Sequence, residues 1–168
     1  MQFIETSIVD LYKSTLKAFP NTSKRQHSID TVRVENLTWL PFLGVKTLFI
    51  KGLIRNESKK YDCIMLFKNI KFNESEQKKS IKIKMSNGKE YFVEQIDSKK
   101  NDVLLRCNCK DFHWRFNFYN FKDHSLFGRK RSKYESTGVG KANPLELPGI
   151  CKHLIKMSKI IKESNLLI

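Results

Sequence analysis

In the first twenty residues Ile4, Ile8, Leu11, Tyr12, Leu16 and Phe19 recur at helical spacing, which predicts an amphipathic helix over residues 3 to 19. Thr6 or Ser7 can cap its start, and Pro20 stops it. Asn21 to Asp30 is polar and basic, with too few apolar side chains to pack alone, and reads as a loop or linker. From Thr31 the period shortens to two at Val32 and Val34, followed by Trp39. Beyond Pro41 and Gly44, Thr47 to Arg55 and Tyr61 to Phe72 are rich in Ile, Leu and Phe and are separated by the polar Asn56 to Lys60, the pattern of a hairpin. Asn87-Gly88 signals a second hairpin, through a type I′ turn between Ser80 to Met85 and Lys89 to Ile96. Asp102 to Arg106 predicts a further strand leading into Cys107.

The expected fold class is therefore α+β: antiparallel hairpins or a meander, an N-terminal helix, and a C-terminal module ending in a helix. Residues 1–30 are expected to form the helix and a basic arm. Residues 31–168 are expected to form one domain, with a metal module at about 102–163.

The chain has 168 residues, 40% of them hydrophobic, with 12 Phe. That is enough apolar side chain to build a core, so global disorder is excluded. No apolar run approaches the ~18 to 20 residues that a membrane span needs, and Met1 to Glu5 lacks the basic head and apolar stretch of a secretion signal. The expectation is a protein of a reducing cytoplasm, or of something assembled there. With 32 Lys and Arg against 17 Asp and Glu, the formal charge is +15. Such a charge admits nucleic acid, an anionic membrane surface or an acidic protein as partner, and equally a merely solvated basic face.

The chemistry-bearing residues cluster late. Cys107-Asn108-Cys109 is followed, after 41 intervening residues, by Cys151-Lys152-His153. Three thiolates and one imidazole complete a tetrahedral zinc shell. A C-x-C pair at a strand end can aim two sulfurs at one ion, and a C-x-H pair at a helix start can offer a sulfur and a nitrogen from the other side. Such a shell leaves no position for water, so the ion is expected to be structural rather than a Lewis acid. Three thiolates and one divalent cation change the net charge by one unit only, so the basic character survives. A Cys107–Cys109 disulfide would be a strained ring; independent buried cysteines are the other alternative. Cys63, in the apolar run Cys63 to Phe67, reads as core. His27, His113 and His124 have no paired ligand and read as surface or locally hydrogen-bonded, His113 or His124 being the substitutes for the fourth donor.

These residues resemble the SWIM-type zinc finger, in which C-x-C, a variable spacer and C-x-H hold one zinc ion. Phe112 matches the aromatic that follows the first pair, and Pro148-Gly149-Ile150-Cys151-Lys152-His153-Leu154 matches the glycine before the second pair and the apolar helix after it. The resemblance covers about residues 105 to 160. The long spacer, with Asn143-Pro144 ahead of the second pair, looks like a variant found in virion proteins of large tailed bacteriophages. It implies a noncatalytic structural protein, assembled in the host cytoplasm into a virion at the head-to-tail connector or neck. Its partners would be other virion proteins or further copies of itself in a ring, with no membrane and no small-molecule substrate. The alternative is a SWIM-type nucleic-acid-binding regulator.

Between the ligand pairs Phe112, Trp114, Phe116, Phe118, Tyr119 and Phe121 are interleaved with His113, Arg115 and Lys122. Aromatics among cations can stack bases while neutralising phosphates; they can also be the core around the metal. A strand would align Phe112, Trp114, Phe116 and Phe118, and a helix Phe112, Phe116 and Tyr119. The helix and the core are the expectation here. Pro148 and the stripe Ile150, Leu154, Met157 and Ile161 predict a helix packed on the core, with His153 off the stripe. Arg129, Lys130, Arg131 and Lys133, with Arg115, are the candidate contacts to a DNA phosphate backbone. Gly138-Val139-Gly140-Lys141 suggests a flexible loop and lacks the spacing of a phosphate-cradling P-loop. No nucleophile–base pair or carboxylate pair stands out, so catalysis is not expected.

Overall fold

The computed structural model describes residues 6–20, 31–85, 87–136, 138 and 140–168. Helix α1 spans Ile8–Ala18. Its N-cap is Ser7, whose hydroxyl accepts from the Asp10 amide at 3.2 Å while the Asp10 carboxylate accepts from the Ser7 amide at 3.3 Å. This reciprocal box satisfies two otherwise orphaned N–H groups. Residues 1–5 and the expected loop at 21–30, with His27, lie outside the described residues. Ile8, Leu11 and Ala18 are buried in the chain's own core. Tyr12, on the same apolar face, is exposed.

Strands β1 (Val32–Phe42), β2 (Thr47–Asn56), β3 (Lys59–Phe67) and β7 (Val103–Cys107) form one antiparallel sheet in the order β1-β2-β3-β7. Strands β4 (Phe72–Asn73), β5 (Ser80–Lys84) and β6 (Glu90–Glu94) form a smaller antiparallel sheet in the order β4-β6-β5. Alternation along β2 and β3 buries Leu48, Ile50, Ile54, Met65 and Phe67. The final helix of the chain, Lys152–Glu163, packs Leu154, Met157 and Ile161 against that face. Each such fully buried side chain contributes about 1.5–3 kcal/mol.

Two details differ from expectation. The strand expected over Tyr61 to Phe72 breaks after Phe67: Asn69 takes a left-handed conformation at φ 58°, the Ile70 amide turns to the Lys46 carbonyl at 2.8 Å, and Phe72 joins the second sheet instead. The Asn87-Gly88 hairpin forms, but Lys84 pairs with Glu90 and the Met85 amide bonds to Lys89, which leaves three residues in the loop. A two-residue type I′ turn is thereby replaced by a longer one with Gly88 at positive φ, 82°, a conformation glycine adopts without steric penalty.

The insert between the cysteine pairs opens with two short helices, α2 (Lys110–Arg115) and α3 (Asn117–Lys122). Phe112, Phe116 and Tyr119 are buried, as helical alignment requires, and Trp114 and Phe121 are exposed. Lys152–Glu163 is then α4. After α4, the Ile96 amide bonds to the Leu166 carbonyl at 2.7 Å and the Ile168 amide to the Ile96 carbonyl at 2.9 Å. Among the described residues no helix is long and apolar enough to cross a membrane.

Candidate metal centre

The first two donors sit where β7 ends. Cys107 lies opposite Cys63 of β3 in the ladder. Beyond it Asn108 continues the pairing with its own groups: its amide donates to the Asp62 carbonyl at 3.2 Å, and its side-chain oxygen accepts from the Asp62 amide at 3.0 Å. With Asn108 clamped, the chain turns and the Cys109 amide points at the Cys107 sulfur, 3.4 Å away. Cys109 is the N-cap of α2, and its sulfur accepts from the Phe112 amide at 3.3 Å.

The second pair opens α4. Cys151 is the N-cap and His153 lies in the first turn, where the positive end of the helix dipole favours a thiolate. The approach to Cys151 is held on both sides. Asn120, fully buried, accepts from the Gly149 amide at 2.8 Å and donates to the Gly149 carbonyl at 3.0 Å. The Thr15 hydroxyl of α1 accepts from the Ile150 amide at 2.8 Å and donates to the Leu11 carbonyl at 2.8 Å. A Cβ at Gly149 would stand 2.5 Å from Thr15 Oγ1 and 2.6 Å from the Phe116 ring, so only glycine fits. Asn143 closes the insert, donating to the carbonyls of Arg115 and Leu147 at 2.9 and 2.7 Å.

These segments bring the ligand atoms of Cys107, Cys109, Cys151 and His153, all buried, within 4.8 Å of one another. His153 Nδ1 is 3.7 Å from the Cys107 sulfur and 3.9 Å from the Cys151 sulfur. Tetrahedral zinc, with Zn–S of about 2.3 Å and Zn–N of about 2.0–2.1 Å, places such atoms about 3.6 Å apart. Nδ1 is therefore the atom turned to the cluster. His153 is buried rather than merely off the apolar stripe, and its ring stacks on Tyr61 with centroids 4.1 Å apart. Its Nε2 is buried with no hydrogen-bond partner among the described residues.

The electrostatics favour a cation. Burial pushes the Cys107 and Cys151 thiols well above the ordinary cysteine range. Cys109 is held far below it by hydrogen bonds with Cys107, Cys151 and His153 and from the Phe112 amide. Three buried sulfurs can share one negative charge in this way, and only a positive ion lets all three ionise together. The cluster is thus compatible with a metal ion such as zinc. Cys63 is buried on the strand beside it, with its thiol pushed up by burial.

The other candidate residues lie on the outside. His113 is half-buried and His124 exposed, and neither is in the four-residue cluster. Arg129, Lys130, Arg131 and Lys133 are exposed on a segment without repetitive structure. Arg106 donates to the carbonyls of Phe127 and Arg129 at 3.0 and 2.9 Å, and the Arg131 amide bonds to Asn117 at 2.7 Å, which ties this strap to the module. Lys130 lies over the Phe121 ring at 4.8 Å, and Lys133 pairs with Glu146 at 2.7 Å. Arg115 pairs with Asp111 and lies over Phe19 at 5.5 Å, so it is spent partly on structure. Val139 lies outside the described residues.

Thr15, Asn120 and Tyr61, which position the donors, escape a reading of the sequence, and Asn143 shows there only through its Asn-Pro pair. The Pro-Gly before Cys151 and the Asn-Pro at 143–144 are the only local signals near them. Comparison with models of known families, with curated proteins and with solved structures finds no match to this chain.

Proposed function

We propose that this chain is a noncatalytic structural protein whose C-terminal module is closed by one zinc ion. The observation that carries the reading is the convergence of four buried donors, from the end of β7 and the starts of α2 and α4, within the span of a single ion. Four protein donors fill a tetrahedral shell and leave no place for a reacting water. Zinc suits this soft sulfur-rich set better than magnesium or calcium, which take oxygen donors. The SWIM-like spacing and the long-spacer resemblance support a place in a tailed-phage virion, at the head-to-tail connector or neck, in contact with other virion proteins or its own copies. Native mass spectrometry of the purified chain tests the metal and the assembly together, with one zinc per chain and a multiple-subunit ring expected. Mass spectrometry of purified particles tests the location; absence of the chain from them overturns it. A metal-free preparation that keeps residues 103–163 ordered overturns the zinc reading.

A second reading, a SWIM-type nucleic-acid-binding regulator, is favoured by the exposed strap Arg129 to Lys133. It requires affinity for DNA that falls steeply with salt, with a slope reduced when these cations are neutralised. Salt-independent or absent binding removes it.

A further inference from the structure

The insert carries a second constellation outside the metal shell. Trp114, on α2, is 46% exposed, and Tyr134, on the strap, is 40% exposed. Their ring centroids are 4.7 Å apart at 46°, and the His113 ring stands edge-on to Trp114 at 4.2 Å. Two large aromatics held against each other at the surface bury little apolar area there, so packing alone gives them a weak reason to be placed outside. Their surroundings give a stronger one. A cleft of about 350 Å³ is lined by both rings together with Lys110, Arg115 and Asp111. A second, of about 240 Å³, shares the same two rings and is lined by Lys133 and Lys141 and by the carboxylates of Glu135 and Glu146.

The charge around the rings is positive on balance, with Lys110, Arg115, Lys133 and Lys141 against Asp111, Glu135 and Glu146. Glu146 pairs with Lys133 and Lys141, and Asp111 with Arg115. Lys110, Arg129, Lys130 and Arg131 have no carboxylate partner among the described residues. Arg131 is fastened beside the α2–α3 joint through its amide on Asn117. Exposed rings next to unpaired cations match a polymer that alternates flat bases with phosphates. A duplex hides its base faces inside its own stack, so the rings are of use only to an unpaired strand.

We propose that Trp114 and Tyr134, with Lys110 and Arg131 beside them, form a stacking platform for single-stranded nucleic acid. The platform sharpens the second reading of the preceding subsection and is independent of any place in a virion. One base stacks on the exposed ring pair, and the phosphates on either side meet the cations. DNA and RNA strands share this chemistry, since neither the bases' faces nor the phosphates distinguish the sugar.

The test uses the zinc-loaded full chain with fluorescein-labelled dT and rU oligonucleotides of about 12 residues and a duplex of equal length. Binding of single strands, with quenching of tryptophan emission and preference over the duplex, is expected. Trp114→Ala and Tyr134→Ala should each weaken it about 5- to 100-fold, with zinc content and salt slope unchanged. Trp114→Ala should also abolish the quench, leaving the signal of Trp39. Arg129→Gln/Lys130→Gln/Arg131→Gln should flatten the salt slope while keeping the quench. Salt-dependent binding that ignores Trp114→Ala and Tyr134→Ala, or that is as tight for duplex, overturns the platform and leaves the basic strap standing. No binding by the intact chain overturns both, and leaves the zinc-closed structural module untouched. Preference for dT over rU, or the reverse, names the strand.

Discussion

Thr15 and Ile150 are 135 positions apart and share a buried hydrogen bond, the Thr15 hydroxyl accepting from the Ile150 amide at 2.8 Å. The bond joins the N-terminal helix to the residue immediately before Cys151 of the Cys/His cluster. Thr15→Val keeps the shape and removes the acceptor, stranding a buried amide. The loss should be about 1–3 kcal/mol, read as a lower urea midpoint of the zinc-loaded protein. Zinc affinity should fall with it, because Cys151 loses part of its support; a competition titration with a chromophoric chelator measures this.

Gly149→Ala tests the same corner by overfilling it. The new methyl meets Thr15 and the Phe116 ring well inside contact distance, and overpacking of this kind costs about 1–3 kcal/mol. Chemical denaturation should show the loss, and Gly149→Ala combined with Thr15→Ala should cost less than the sum of the two single losses, since one of the two obstacles is then gone.

Removal of the metal should act on one half of the molecule. A chelator is expected to abolish hydrogen-exchange protection over residues 103–163, while amides in the β2–β3 ladder keep theirs. Zinc in sites of this kind is worth about 10–16 kcal/mol of apparent free energy, more than an ordinary domain's net stability. The donors must be deprotonated, so bound-state proton affinities lie below the ordinary thiol value of about 8.5. The stabilisation is complete above that pH and is lost as pH falls through the bound-state values. Acidification should therefore release zinc and unfold the module together, which zinc-indicator absorbance and near-ultraviolet dichroism would follow side by side.

Asp123 offers a pH effect of opposite sign. Burial raises its carboxyl above the ordinary range, the Thr6 and Ser125 hydroxyls countering only part of this, and one oxygen is buried without a hydrogen-bond partner. A carboxyl raised on folding stabilises the fold below its unfolded value, near 3.9, and that contribution is lost as pH rises through the folded value. Asp123→Asn should stabilise the protein at pH 7 and lose its advantage near pH 3. Urea midpoints at the two pH values decide it.

The legibility of the site in the sequence follows the reach of its signals. Cys107 with Cys109 and Cys151 with His153 announce themselves because each pair is local and rare. The paired aromatics Phe112, Phe116 and Tyr119 reveal their helices through spacing. Asn120 and Thr15 do not, since a single polar residue in a helical pattern looks solvent-facing, and their partners at 149–150 lie 29 and 135 positions away. The apolar run from Tyr61 extends to Phe72 in the sequence for a related reason: it continues across Asn69, and only the left-handed backbone there reveals the break.

The spacing of the donor pairs also sets a timetable. Synthesis delivers Cys107 and Cys109 first and completes the four-donor set only with His153, 44 residues later. Until then the emerging chain carries two thiols able to seize an ion only loosely, beside aromatic side chains with nothing yet to cover them. If the cluster takes up zinc as proposed, a growing chain is most open to oxidation and to clumping in the interval before His153 leaves the ribosome, and scarce zinc lengthens that exposure.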